Sequence, residues 1–377
     1  MRETNFPPRR SQRGMSLVEV MVAMVIGMIG CIVVFQVFSV AESRKRTISA
    51  GSDMDVSGRL GLMALVRDIQ LAGYGFGQAA ASTATSSGSP FGCTVNAHDA
   101  LRSPTAFSFT FAPLNITQGA SGAADTITIL EGSSNLMVGL KTIDLTTNTT
   151  KRIKTNTGGR TGAQRGDVVI AIASTPSLGC AMYEITGDSN GDQLTLDHAT
   201  GTYTTAAGQS KTARYNSGSS TPAFTMTGEG KLINLGATPY LNAWSVSGGK
   251  LIVSNGITAT GNAEAADGIV NLQAQYGYDA NSDGIIASTE WQTTTPTDWT
   301  RVLAVRVAIL ARGQYEVSQV TTTAPVWSEG AFTMTNVDGT ADSGASLVGP
   351  NNWRNYRYNV FEAVVPLKNV LWGGRAT

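Results

Sequence analysis

The sequence predicts an α+β protein: one long N-terminal helix, apolar first and amphipathic afterwards, packed on an antiparallel β-sheet head with long loop insertions. Residues 15–40 form a nearly uninterrupted apolar run, and residues 41–73 continue with apolar side chains at helical spacing. From residue 75 onwards, short β-rich runs alternate with Gly, Asn and Asp. We therefore expect an N-terminal helix over residues 15–74 and a β-rich head over residues 75–377.

The apolar run is long enough to cross a membrane. Residues 20–35 contain no charged or strongly polar side chain, and the flanking residues extend the run to about 25 residues. With a rise of about 1.5 Å per residue, such a helix spans a hydrocarbon core of about 30 Å. Glu19 is the one carboxylate within the run, and a charge in such a helix is costly and usually functional.

Two simple interpretations fit this run poorly. A signal peptide has an apolar region of about 7–15 residues and a small-residue cleavage site, and residues 15–40 are longer and have no such site. An ordinary membrane anchor leaves Glu19 unexplained. The arrangement of Gly14 followed by Met15, Ser16, Leu17, Val18 and Glu19 instead resembles the class III signal of type IV prepilins.

This resemblance implies processing and assembly roles for named residues. Residues 1–14 would be the leader, which a prepilin peptidase removes by cutting between Gly14 and Met15 before it methylates the new N-terminus. Glu19 would be the fifth residue of the mature chain. Because a carboxylate buried among bundled helices needs a partner, the N-terminal ammonium of a neighbouring subunit would pair with Glu19.

The second half of the helix has the pattern of a surface that docks on a sheet. Its apolar positions at helical spacing are Leu62, Val66, Ile69 and Ala72. Three glycines are expected to weaken the middle of the helix, namely Gly51, Gly58 and Gly61. Residues 67–75 end the helix at a glycine and resemble the helix end of PilW-type minor pilins, and residues 356–369 resemble the last sheet strand of that group. The fold that this resemblance implies is pilin-like.

The head is predicted to consist of short strands and long loops. The expected strands are 106–111, 126–130, 167–173, 181–186, 193–196, 231–235, 244–246, 250–254, 269–278, 300–310 and 358–367. Residues 77–90 are expected to form a low-complexity linker or surface loop, and the Thr-, Gly- and Ser-rich stretches 141–165 and 200–228 are predicted to be loops or insertions.

One of the three cysteines lies in the N-terminal helix, and the other two lie in the head. Cys31 lies in the apolar helix and is expected to be a small packing residue. Cys93 and Cys180 fall in the exported head, where an oxidising compartment favours a disulfide closing an 88-residue loop. Such a bond would contribute about 4 kcal/mol to stability. The alternative of two free buried thiols remains open.

One loop carries a calcium pattern. Residues 279–290 match D-x-[DN]-x-[DN]-G-x5-E at every specified position, with Gly284 in the sixth place. Ca²⁺ prefers six to eight oxygen ligands. The expected ligands are the side chains of Asp279, Asn281, Asp283 and Glu290 and the carbonyl of Ile285. The alternative is an Asn/Asp/Gly surface turn built from the same residues.

Enzyme and nucleic-acid signatures are missing from the sequence. The chain has 27 basic and 27 acidic residues, and it contains neither a G-x-S-x-G elbow nor a phosphate-binding loop ending in G-K-[ST]. The resemblance implies a non-catalytic filament subunit that primes a type IV pilus and lies at its tip. Its partners would be other minor pilins, the major pilin, the prepilin peptidase and, as a further candidate, a PilY-type tip adhesin.

The location implied is the inner membrane, crossed once with the head in the periplasm, and later the pilus tip at the cell surface. Two alternatives stay open at this point. A type II secretion minor pseudopilin of the J kind shares the leader, Glu19 and the helix-plus-sheet plan. A membrane-anchored periplasmic binding module would use the apolar run only as an anchor.

Overall fold

The computed structural model describes residues 14–77, 90–134, 141–149, 152–155, 162–173, 179–188, 194–217, 229–342, 344 and 349–374. The chain divides into two compact units, Met1–Asp53 and Met54–Thr377. Most of the expected leader (residues 1–13) and of the expected linker (residues 78–89) lies outside the described residues.

Helix α1 spans Leu17–Leu71, close to the predicted 15–74. It ends because Gly73 adopts a positive φ of 77°, and the Gly73 amide then donates to the Leu130 carbonyl (3.0 Å). The Asn369 side-chain amide donates to the carbonyls of Gln70 (3.3 Å) and Ala72 (3.1 Å). These bonds satisfy acceptors that a helix C-terminus leaves without an intrahelical partner.

The head is built mainly from strands. In chain order they are β1 (Thr94–His98), β2 (Ala106–Thr110), β3 (Leu114–Thr117), β4 (Thr126–Glu131), β5 (Lys141–Thr149), β6 (Arg152–Thr155), β7 (Val168–Ile172), β8 (Cys180–Glu184), β9 (Gly187–Asp188), β10 (Thr195–Asp197), β11 (Thr202–Thr204), β12 (Ser210–Thr212), β13 (Glu229–Gly236), β14 (Tyr240–Ser247), β15 (Lys250–Asn255), β16 (Thr260–Asp267), β17 (Ile269–Tyr278), β18 (Trp291–Gln292), β19 (Val302–Tyr315), β20 (Val326–Trp327), β21 (Gly330–Ala331) and β22 (Tyr356–Pro366). A short helix α2 (Lys368–Gly374) follows β22.

Three sheets organise these strands. The nine-stranded sheet has the order β2-β1-β8-β7-β13-β5-β6-β10-β9, the five-stranded sheet β16-β15-β14-β4-β3, and the four-stranded sheet β18-β17-β19-β22. Neighbouring strands are antiparallel in all three sheets except for the parallel pair of β1 and β8. The predicted α+β architecture, an apolar N-terminal helix followed by an antiparallel β-rich head, is therefore confirmed.

The prediction of loops over 141–165 and 200–228 is wrong in part. The first stretch contains β5 and β6, and the second contains the paired strands β11 and β12. Thr is β-branched and favours strands, and Ile143 and Ile153 supply buried anchors in β5 and β6. Strands β1, β3 and β16 were also not predicted. The expected strand 300–310 corresponds to β19 from Val302 onwards, and a short 3-10 helix, Trp299–Arg301, precedes it.

The docking face of α1 differs from the predicted stripe by a small rotation. Leu65, Ile69 and Ala72 are fully buried, whereas Leu62 and Val66 are only partly buried. Gly58 and Gly61 lie on the same face. A Cβ atom at Gly58 would overlap the Phe361 ring, and one at Gly61 would lie 3.0 Å from the Ala266 Cβ atom. These glycines therefore allow close approach of the helix to the sheets, in addition to their expected cost in helix propensity.

Candidate functional site

The segment around the expected processing position begins α1. Gly14, Met15 and Ser16 precede the helix and are exposed. The Ser16 carbonyl accepts a hydrogen bond from the Val20 amide (3.2 Å), and the Ser16 amide donates to Glu19 Oε2 (3.3 Å). Ser16 is therefore the N-cap residue, and Glu19 makes the return hydrogen bond of a capping box.

This local role of Glu19 was missed in the sequence, although Ser16-Leu17-Val18-Glu19 is an S-x-x-E signal. A carboxylate in the first turn of a helix is also stabilised by the helix dipole. The Ser16 bond uses one of the two carboxylate oxygens, and the other can accept a further donor. The capping bond is thus compatible with the predicted pairing to an ammonium group, and cleavage and methylation remain predictions.

The first part of α1 is a candidate membrane span. Residues Leu17–Glu42 have a mean hydropathy of 2.7 in their most apolar window, and none of that window is buried. The large apolar side chains from Met15 to Val40 are all more than one-third exposed. Cys31 is a free, exposed cysteine in this span. Apolar side chains left bare in this way need lipid or other helices around them.

The expected disulfide between Cys93 and Cys180 is present, with a Cα–Cα distance of 6.1 Å. Cys93 directly precedes β1, and Cys180 is the first residue of β8. Because β1 and β8 run parallel, the two cysteines lie at the same end of the strand pair. Val95 pairs with Cys180 and Asn96 with Ala181 in the register. The disulfide thus covalently joins two strands that share a short register.

Charged side chains link β1 and β8 at the opposite end of the pair. Asp99 follows β1 and Glu184 ends β8, and both side chains are fully buried. Arg214 donates from Nε and Nη2 to the two Asp99 carboxylate oxygens (2.6 and 2.8 Å), and its backbone amide donates to Glu184 Oε2 (2.7 Å). The Glu184 carboxylate also accepts from Tyr203 (2.6 Å) and pairs with Lys211 (2.9 Å).

Hydrogen bonding controls the pKa values of the two buried carboxyl groups, Asp99 and Glu184. Burial raises the pKa of Glu184, but the bonds from Tyr203, Lys211 and backbone amides outweigh it and hold the pKa below its usual value. The Asp99 pKa is likewise lowered, because bonds and charge from Arg214 exceed the effect of burial. Sequence analysis did not single out these residues, because their partners are far apart along the chain. The cluster joins the ends of β1 and β8 to the segment that contains Tyr203, Lys211 and Arg214.

The 279–290 loop folds around its own acidic and amide side chains. Asp279 accepts from the amides of Asp283 (3.1 Å) and Gly284 (2.8 Å), and Asn281 accepts from the Asp283 amide (3.0 Å). Gly284 has a positive φ of 81°, which the sharp turn requires. Asp283 in turn accepts from the Ile285 amide (2.7 Å). Asp279, Asn281 and Asp283 therefore lie around one tight turn.

The last expected ligand closes this loop. Glu290 Oε1 accepts from the Ala280 amide (3.0 Å), and Oε2 accepts from the Ala287 amide (2.9 Å). No group of three or more His, Cys, Asp or Glu side chains is placed to hold a metal ion in the described ranges. Calcium also takes amide and backbone oxygens, which Asn281 and Ile285 would supply. Calcium binding therefore remains a prediction, and the amide bonds to Asp279 and Glu290 also fit the alternative of a surface turn.

Comparison with known proteins identifies two parts of the chain. Residues 237–369 match the family described as type IV pilus-assembly protein W, PilW. Residues 9–35 match the prokaryotic N-terminal methylation motif. No curated protein and no solved structure matches the chain.

The two matches agree with the geometry of the segments they cover. The methylation motif contains Gly14, Glu19 and much of the exposed apolar helix. The PilW match begins before β14 and includes the whole four-stranded sheet. The apolar helix and the prepilin motif together indicate membrane anchoring. The two matches, over residues 9–35 and 237–369, support the identification of this chain as a PilW-like type IV pilin and its involvement in type IV pilus assembly.

Proposed function

We propose that this chain is a non-catalytic minor pilin that primes the type IV filament and lies at its tip. The observation that carries the proposal is the apolar helix, left without cover over Leu17–Glu42 and carrying Glu19 at its start. A helix of this kind can be held in the inner membrane and then transferred into a bundle of like helices. The periplasmic position of the head before assembly belongs to the same proposal.

The size of the head supports a tip position. It contains sheets of nine, five and four strands in addition to α1. A head of this size is more easily placed once at the end of a filament than repeated along a narrow shaft. The partners proposed are other minor pilins and the major pilin, with a PilY-type adhesin at the tip and the prepilin peptidase acting earlier on Gly14 and Met15.

Glu19 gives the sharpest test of the assembly role. In the full-length chain expressed in its own host, Glu19→Ala should abolish surface pili, because the N-terminal ammonium of the neighbouring subunit loses the carboxylate with which it pairs. Glu42→Ala is the matched control, since Glu42 is the other acidic residue of the candidate span and lies at its far end. The control should leave pili near the wild-type level. Sheared pili and the membrane content of the chain are the measurements.

The outcomes separate the interpretations. Normal pili with Glu19→Ala would contradict the assembly role and return the chain to a simple anchored module. Loss of pili with Glu42→Ala as well would mean that removing either acidic residue disturbs the helix. A chain level that falls with Glu19→Ala would point to the capping bond with Ser16, and Glu19→Gln then tests the charge itself.

We also propose that the 279–290 loop binds Ca²⁺ and that the bound ion stiffens the connection between β17 and β18. The buried position of Asp279 and the turn at Gly284 support this proposal. The expected dissociation constant lies at about 10⁻⁴–10⁻³ M, the range of extracellular sites. Calorimetric titration of the fragment Met54–Thr377 with CaCl₂ is the measurement.

Substitution of two ligands assigns any calcium binding to this loop. Asp279→Ala combined with Glu290→Ala should remove the titration signal. Asp338→Ala is the control, because Asp338 also accepts a backbone amide in an exposed loop of the head. Binding that survives the double substitution would contradict the assignment.

A further inference from the structure

Helix α1 has a wider apolar face than the head covers. Val56, Leu60 and Met63 follow one another at helical spacing, and they are 54%, 52% and 65% exposed. With 3.6 residues per turn, they lie on the opposite side of the helix from Leu65 and Ile69 of the docked face. They therefore form an apolar helix surface that the head does not cover.

The uncovered stripe borders a groove. The groove has a volume of about 510 Å³ and lies between α1 and β22. Arg59, Leu62, Met63 and Val66 form its helical side, and residues 359–362 form its strand side. Its volume falls in the range of about 300–1,000 Å³ typical of pockets that accept side chains or small ligands.

The strand side of the groove is the edge of a sheet. Strand β22 is 11 residues long and lies last in the order β18-β17-β19-β22. In the described part of the chain its ladder partner is β19, and its other edge pairs with no strand. Before Pro366 the strand contains no proline and no lysine, and its two charged side chains, Arg357 and Glu362, are paired with Glu316 and Arg306. Natural edge strands are usually blunted by proline or lysine, so an edge this long without them suits the addition of a strand.

Side chains of β22 already connect this edge to the helix. The Asn359 amide donates to Asp55 Oδ1 (2.7 Å), and the Phe361 ring fills the space above Gly58. A strand added beside β22 would therefore continue the sheet alongside the part of α1 that lines the groove. Its inward side chains would meet Leu62, Met63 and Val66.

The free charge in the groove is positive. Arg59 is exposed, and no ion pair involves it in the ranges that the structure describes. Glu362, on the strand side, is already engaged, because it lies 3.9 Å from Arg306 and accepts from the Ser328 amide (3.2 Å). An occupant that complements this groove would carry an acidic side chain near Arg59.

We propose that the β22 edge and the α1 groove together bind an extended segment of another pilin-type subunit, which adds a fifth strand to the four-stranded sheet. An extended segment is the one partner that can satisfy a free strand edge through backbone hydrogen bonds and fill the groove with alternate side chains. The segment would carry apolar residues on its inward face and an acidic residue opposite Arg59. The identity of the partner class rests on the proposed function.

Site-specific photocrosslinking in the piliated host tests this docking. The photoreactive amino acid p-benzoylphenylalanine is placed at Met63, and in a second variant at Val66, which also lines the groove, in case the first disturbs the helix. Val317, which is 88% exposed elsewhere in the head, is the control position. The adduct is digested and the crosslinked residue of the partner is mapped by mass spectrometry. Groove positions should give an adduct with a pilin-type subunit that the control position does not give.

A peptide of the mapped segment is then added to the detergent-solubilised full-length chain, and hydrogen exchange is measured. Amides of residues 357–365 should gain protection, and Arg59→Glu should weaken peptide binding at least tenfold while Arg59→Lys retains most of it. An adduct with a second copy, an adduct with residues 78–89 of the same chain, or binding that leaves β22 amides unprotected would overturn the proposal. So would piliated cells without an adduct at either groove position. Because pili are scored separately, failure here leaves the assembly role intact.

Discussion

The two halves of the head are built on different plans. Residues 237–369, which match PilW, form long antiparallel strands such as β17 and β19, and these follow one another closely in sequence. Residues 93–236, where neither family matches, supply all strands of the nine-stranded sheet, which are short and have distant partners, and also β3 and β4 of the five-stranded sheet. In that sheet β1 pairs with β8 and β5 pairs with β13.

This difference shows how each half is stabilised. In the matched half, the sheets contribute the surfaces against which α1 packs, through Ala266, Ile309 and Phe361. In the unmatched half, a disulfide and a buried charge cluster hold β1 and β8 at their two ends. Long-range pairing carries a larger loop-closure cost than local pairing, and crosslinks offset that cost.

The largest expected effect is loss of the disulfide. Replacing both Cys93 and Cys180 by Ala in the full-length chain should lower the free energy of unfolding by about 4 kcal/mol, because the 88-residue loop between them regains its freedom in the unfolded state. Chemical denaturation measures this change. Hydrogen exchange should show loss of protection in β1 and β2 and little change in β17 and β19. Cys31→Ala is the control, and equal loss in both halves would contradict the division.

The pH dependence of the unmatched half should be the next largest effect. Burial lowers the pKa of His198 from 6.5 to about 4, against an opposing influence of Asp197. The unfolded chain therefore binds a proton between these pH values that the folded chain does not, and stability falls as the pH drops from 6.5 towards 4. The loss attributable to His198 should reach about 3 kcal/mol at the acid end.

Comparison with His198→Gln isolates this contribution. Burial raises the pKa values of Asp125 and Asp167, and these groups act in the opposite direction by favouring the protonated folded state. Subtracting the unfolding free energy of the variant from that of the wild type removes the contribution of Asp125 and Asp167, which both proteins share. Unfolding free energies measured from pH 7 to pH 4 should converge as the pH falls, and parallel curves would show that His198 does not contribute.

A smaller effect is expected at the helix-to-sheet contact of the matched half. Gly58→Ala should cost about 1–3 kcal/mol, because the new methyl group must displace the Phe361 ring. Phe361→Leu should relieve part of that cost in the double variant. Gly51→Ala is the control, since a Cβ there meets nothing within 4 Å, and it should be neutral or stabilising by up to about 1 kcal/mol. Additive effects of Gly58→Ala and Phe361→Leu would contradict the contact.

Periodicity predicted the elements whose pattern is local. The bounds of α1 and of β17 follow from long regular stretches, so the sequence located both within three residues. Strand β5 was missed because its many Thr and Asn residues resemble a loop, and its place in a sheet depends on the distant β13. The Arg214 cluster could not be predicted for the same reason.

Candidate site residues were predictable where a motif is contiguous. The processing position, Glu19 and the 279–290 loop all lie within short patterns. The disulfide could be inferred from two cysteines left in an exported head, without knowledge of the parallel strands that join them. The groove beside β22 was not foreseeable, because it depends on the order of strands in the sheet and on the width of α1 that the sheet covers.

The most direct test of the central claim is a deletion strain in which surface pili and secreted proteins are measured side by side. A PilW-like minor pilin that primes the filament predicts loss of sheared pili with a normal secretion profile, and recovery of pili when the intact chain is restored. Intact pili with a secretion defect would contradict the pilus role and favour a type II secretion pseudopilin.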